Sequence, residues 1–113
     1  MNEAQMLQAK VKPDWKPDEV QLVSMTYVLH DRDYLPSYEQ IRCCQTLATS
    51  LDEAVKRAEK YYGPGHLNAW GAGPLIFGDR HKYGGGELLV SEWDADYAEG
   101  LERLHTPRRS SAL

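Results

Sequence analysis

The chain has 113 residues, a net charge of −4 and nine glycines, eight of which fall between Gly63 and Gly86. That length fits one domain, with a single core burying about two thirds of the unfolded surface, and excludes two. Leu, Ile, Val and Phe together number 22, near the rough 20% mark at which disorder sets in, but the small net charge and the seven Tyr and three Trp place the chain among folded proteins.

The longest apolar runs are triplets such as Leu75-Ile76-Phe77 and Leu88-Leu89-Val90, far short of the roughly 20 residues that span a bilayer. The first dozen residues carry Glu3, Gln5, Gln8 and Lys10 and lack the apolar stretch of a secretory leader. The expectation is a cytoplasmic protein with no membrane partner. Cys43 and Cys44 are neighbours, and Cα atoms about 3.8 Å apart are too close for ordinary disulfide geometry, so both are read as reduced thiols. The acidic balance argues against an extended nucleic-acid surface, whose affinity grows with the phosphates that Lys and Arg neutralise.

In chain order, residues 1–18 read as an N-terminal extension. Met6, Leu7 and Val11 share one side of a short helix, weakly docked at best, and the Pro13–Asp18 connector offers Trp15 as an anchor buried at an edge. Glu19–His30 alternates as a strand with apolar groups on both faces, which implies a central or two-sided strand, or one with a bulge near Ser24 that switches the face. After the polar loop Asp31–Ser37, Tyr38–Ala48 is a second strand that sets Ile41, Cys43, Gln45 and Leu47 on one side and pairs with the first as a hairpin.

Ser50-Leu51-Asp52-Glu53 is a capping box opening a helix to Tyr62. Leu51, Ala54, Val55, Ala58 and Tyr62 form its apolar stripe, Lys56, Arg57 and Lys60 face water, and Gly63-Pro64-Gly65 stops it. Short apolar pieces follow at Leu67–Trp70 and Leu75–Phe77. A strand over Leu88–Trp93 is expected to pair with Pro74–Gly78 through the loop 79–86. Asp94 is read as the cap of a last helix with Trp93, Tyr97, Leu101 and Leu104 in one stripe, and residues 107–113 as a frayed tail.

The expected fold over 19–106 is α+β, a two-layer sandwich with a mainly antiparallel sheet in β-β-α-β-β-α order and helices packed on one face. An exposed sheet edge near Pro74–Gly78 would allow pairing with a second copy.

The glycine window contains neither a P-loop nor a dinucleotide fingerprint, so its glycines are read mainly as residues of turns and bulges that take positive φ. His66, Asp79 and His81 match no standard metal spacing, and no metal or cofactor is expected. His30-Asp31-Arg32-Asp33 reads as turn chemistry, with Arg32 paired to a nearby carboxylate, rather than as an acid-base cluster. No familiar nucleophile motif occurs, so no catalytic residue is assigned and an enzyme is the less favoured reading.

Between Glu87 and Glu102 lie six carboxylates and no Lys or Arg. The expected function is therefore a non-enzymatic binding protein, an inhibitor or accessory factor. It would meet a basic protein surface through Glu92, Asp94, Asp96, Tyr97, Glu99 and Glu102 together with the glycine-rich loop. The alternative is a small-molecule or nucleotide binder, or a minor enzyme, whose pocket is floored by the sheet and rimmed by residues 63–86. There His66, Trp70, Asp79, Arg80, His81 and Tyr83 would converge, with Arg80 as an anion clamp.

Overall fold

A computed structural model describes residues 1–74 and 86–94. It is α+β, with three helices and one four-stranded mixed sheet among the described residues. The elements are α1 (Glu3–Val11), β1 (Gln21–Leu29), α2 (Ser37–Gln40), β2 (Ile41–Ala48), α3 (Leu51–Tyr62), β3 (Gly65–Pro74) and β4 (Glu87–Leu88).

The strand order is β3-β1-β2-β4. β1 and β2 form the expected antiparallel hairpin, with Gln21 opposite Ala48 and Val28 opposite Ile41. β3 pairs antiparallel with the other side of β1, from Gln21↔Pro74 to Leu29↔Gly65. β4 joins β2 in parallel through Cys44↔Glu87 and Gln45↔Leu88. β4 thus takes β2 as its partner, in place of the pairing expected between Leu88–Trp93 and Pro74–Gly78; of that stretch only Pro74, the last residue of β3 on the opposite edge, lies among the described residues. β4 is also two residues long. The reason is tertiary: the edge of β2 offers unpaired carbonyls, and Leu89 N takes that of Gln45 at 2.8 Å. The register between β1 and β3 shifts at Thr26 and Tyr27, where Asn68 of β3 is the extra residue, so β1 itself keeps its alternation as a central strand and has no bulge at Ser24.

The packing of α3 decides which face of β1 is the core. Val23, Met25, Tyr27 and Leu29 are buried together with Leu51, Ala54 and Ala58 of α3, Cys44 and Ala48 of β2, Leu89 and Trp15. Tyr27 is fully enclosed and its hydroxyl donates to the Gly63 carbonyl at 2.8 Å, so the aromatic area is buried without orphaning its polar end. Trp15 is buried as expected and donates from Nε1 to the Glu19 carbonyl at 2.7 Å.

α3 starts where the sequence places it. Ser50 Oγ accepts from Glu53 N at 3.1 Å, but the Glu53 carboxylate reaches Thr49, one residue before the cap, bonding its amide at 3.1 Å and its hydroxyl. Arg57 does not face water. Its guanidinium donates to the Leu47 carbonyl at 2.8 Å and Thr46 Oγ1 at 2.9 Å and pairs with Glu53 at 2.9 Å. α1 is fixed by its own capping box between Asn2 and Gln5. It rests on the core through Ala4 and Leu7, while Met6 and Val11 stay exposed. Gln8 Oε1 accepts from Leu51 N at 2.8 Å, satisfying a first-turn donor of α3.

Candidate functional site

Residues opposite each other in an antiparallel pair share a face, so the register fixes the composition of the sheet face turned away from α3. Its central rows are Cys43–Thr26–Ala69 and Gln45–Ser24–Gly71. One flanking row is Ile41–Val28–His66, and the other is Leu47–Leu22–Gly73. Cys43, Thr26, Ala69, Ser24 and Gly71 make a floor of small residues, whereas Gln45, Leu47 and Leu22 of the same face are buried. Leu22 and Leu47 pack there with Val20 and Trp93. An open depression of about 350 Å³ lies over Ser24, Thr26, Cys43 and Ala69. A Cβ built on Gly71 or Gly73 would meet nothing within 4 Å.

At one end of this floor two rings meet. His30 Nε2 lies 2.7 Å from His66 Nδ1, with ring centroids 4.9 Å apart and planes tilted by 35°. The chain turns sharply after His30, where Asp31 takes φ 58°, as expected for turn chemistry. Arg32 donates to the Asp31 carbonyl at 3.4 Å, and among the described residues it makes no ion pair of the kind read from the sequence.

The opposite edge carries two carboxylate networks. Glu87 accepts from the hydroxyls of Tyr61 and of Tyr62, the latter at 2.9 Å. Burial, then the bond to Glu87, pushes the Tyr62 hydroxyl well above the ordinary phenol range. Burial pushes the Cys44 thiol up to about 11. Glu53 Oε1 accepts from Trp93 Nε1 at 2.6 Å and from Arg57. Burial would raise the Glu53 carboxyl, but the bonds from Thr49, Trp93 and Arg57 outweigh it and hold the group below the ordinary carboxylate range.

Of the acidic residues read as partner-binding, Glu92 is exposed and 3.8 Å from Arg57. Asp94 is half-buried, its Oδ2 accepting from Ser91 N at 2.6 Å and Ser91 Oγ at 2.9 Å. Ser91 is thus the cap-like residue and Asp94 stands three positions later, which corrects the cap assignment. Asp96, Tyr97, Glu99 and Glu102 lie outside the described residues, as do Asp79, Arg80, His81 and Tyr83. His66 and Trp70 are separated by the sheet: His66 is on the open face opposite Val28, whereas Trp70, opposite Met25, packs against the core. The described acidic residues follow β4 and the described glycine-rich segment is β3, so these two groups occupy opposite edges.

Sequence reasoning missed the partnership of His30 with His66, 36 residues apart, and the anchoring role of Arg57. Only the alternation of β1 hinted that His30 continues the Ser24–Thr26–Val28 face. Among the described residues no helix is long and apolar enough to cross a membrane. No family model, curated protein or solved structure matches the chain.

Proposed function

We propose that the chain is a non-enzymatic binding protein, an inhibitor or accessory factor, that takes up an extended basic segment of a partner protein along β3. The observation that carries this reading is the edge itself. β3 runs for ten residues, has no charged side chain and no proline before its last position, and among the described residues pairs only through β1. Such an edge leaves a row of backbone donors and acceptors open to another strand. The adjoining floor of Thr26, Ser24, Ala69 and Gly71 leaves room for the guest's inward side chains. The net charge of −4 favours a guest rich in Lys and Arg through long-range steering. In this reading the fold is a two-layer sandwich, with helices on one face and the other face left for the partner.

The depression over the floor is wide and shallow, so an extended guest suits it better than an enclosed small molecule. Display selection of peptides against the purified chain tests the reading. Selected sequences should alternate apolar and polar residues, carry Lys or Arg, and lose affinity as salt rises. Gly71→Val adds bulk where nothing stands within 4 Å, so it should keep the melting temperature and weaken those peptides at least about tenfold. Peptides that bind Gly71→Val as well as the wild type, or that ignore ionic strength, would refute the assignment. Self-association that Gly71→Val abolishes would make a second copy the occupant instead.

A further inference from the structure

We infer that the loop between β1 and β2 holds the Arg side chains of a basic partner segment, between the exposed rings of Tyr34 and Tyr38 and the carboxylates of Asp31, Asp33 and Glu39. The inference rests on the partner reading above for the charge of the guest. It supplies what β3 lacks, since that strand has no charged side chain to meet a cation.

Tyr34 and Tyr38 are 75% and 76% exposed, which forgoes the large burial gain that an aromatic ring offers. The loop that carries them is held by its own hydrogen bonds. Leu35 N donates to the Arg32 carbonyl at 2.9 Å and Glu39 N to that of Pro36 at 2.8 Å, while Gln40 Nε2 donates to the Leu35 carbonyl at 2.8 Å. Little ordering is therefore left for a partner to impose. Tyrosine is among the residue types enriched at interface hot spots, and the face of its ring attracts a cation.

Charge chooses the occupant. Asp31 and Asp33 are exposed and Glu39 is half-buried, and among the described residues none of the three forms an ion pair. The two guanidiniums nearby are turned to backbone: Arg32 donates to the Asp31 carbonyl and Arg42 to that of Glu39. Carboxylates elsewhere are already engaged, Asp52 by Lys56, Glu53 by Arg57 and Glu87 by Tyr61 and Tyr62. Place agrees with charge. The loop leaves β1 where β3 begins, at the pairing of Leu29 with Gly65 and the bond from His30 N to the Pro64 carbonyl at 2.9 Å, so a segment laid along β3 runs out at this corner. Arg suits the surface better than Lys, because a flat guanidinium stacks on a ring while its N–H fork bonds a carboxylate.

A fluorescently labelled peptide of alternating arginine and valine, titrated with the full chain and followed by anisotropy, tests the loop. The expected result is saturable binding that weakens as salt rises, with lower affinity for the lysine–valine peptide and none for the glutamate–valine peptide. Tyr34→Ala combined with Tyr38→Ala should weaken the arginine peptide at least about fivefold, and Phe at both positions, which keeps the rings, should return it to within about twofold of wild type. Asp31→Asn, Asp33→Asn and Glu39→Gln together should weaken it at least about tenfold; Asn tolerates the φ of 58° at position 31, so the turn is kept. Glu92→Gln on the opposite edge should leave the affinity unchanged. The ring signals of Tyr34 and Tyr38 in the wild-type protein should shift as the peptide is added, a readout that needs no variant. An arginine peptide that does not bind saturably, that binds both loop variants as well as the wild type, or that leaves those ring signals unmoved would overturn the loop assignment. Gly71→Val separates the two readings: weakening by Gly71→Val with the loop variants silent keeps the β3 site and removes the loop, whereas weakening by the loop variants with Gly71→Val silent keeps the loop and removes β3.

Discussion

Adjacent residues here meet opposite environments, and Cys43 and Cys44 are the sharpest case. Strand alternation exposes Cys43 on the open face and buries Cys44 beneath α3. Burial raises the Cys44 pKa to about 11, and the thiolate is the nucleophile. Iodoacetamide at pH 8 should therefore modify Cys43 in the native protein and Cys44 only after unfolding, as peptide mass spectrometry would show. Equal labelling of both would mean that β2 is not held as described. Gly86 is a second case, with φ 104° and a position at which a Cβ would fall 2.1 Å from the Cys43 carbonyl oxygen. Any side chain there must displace the backbone that leads into β4, so Gly86→Ala should cost about 2 kcal/mol or more in urea unfolding. Gln45 is enclosed with neither amide atom hydrogen-bonded. An unmet amide costs about 1–3 kcal/mol, so Gln45→Met, close in volume and free of that demand, should raise the unfolding midpoint in the same assay.

At the level of elements, α3 acts as a clamp between the sheet and the chain that follows β4. Arg57 grips the end of β2, Glu53 holds Trp93, and Thr46 Oγ1 donates to the Leu89 carbonyl at 3.0 Å. Trp93 touches Leu22 and Leu47 on the open face while bonding to Glu53 of α3, so it wraps the sheet edge that β4 leaves uncovered. The ionised form of Glu53 is favoured in the folded state. Its contribution is therefore fully present above the unfolded carboxyl pKa of roughly 4.3 and is lost as pH falls through the lower folded value. Glu53→Gln should destabilise by about 1–3 kcal/mol at pH 7, and its difference from wild type should shrink steadily below pH 4. An unchanged difference across that range, measured by urea unfolding at each pH, would show that the network does not depend on the charge. The tyrosine pair on Glu87 secures β4 to the end of α3 by the same logic of satisfying a carboxylate at a sheet edge.

For the whole molecule, β1 is the centre: it has a strand on each side and α3 over one face. Amide exchange should be slowest in β1 and in the β2 positions facing it, faster for the outward amides of β3, and slowed there once a selected peptide is bound. Protection of β3 that does not change on peptide binding would place the peptide elsewhere. Much of this architecture was legible in the sequence because the deciding signals are local. The alternation of Val23, Met25, Tyr27 and Leu29, the Ser50 cap and the stripe Leu51, Ala54, Ala58 mark β1 and α3 before any contact is known. β3 was legible only in part. Gly65, Gly71 and Gly73 weaken its intrinsic strand preference, and pairing with β1 supplies what the side chains lack, so an expected short piece becomes a ten-residue strand through the glycines. The glycine run is thus divided by tertiary structure: among its described members only Gly63 and Gly86 take positive φ, and the others lie along the sheet. The sequence by itself determined the hairpin and the principal helix, because hydrophobic periodicity and capping act over a few residues, whereas the apolar groups on both faces of β1 left the core face to be decided by where α3 packs. Only the tertiary structure decided that β4 lies parallel to β2, that Arg57 turns inward, and that His30 meets His66, because each depends on backbone groups or side chains brought together from distant parts of the chain.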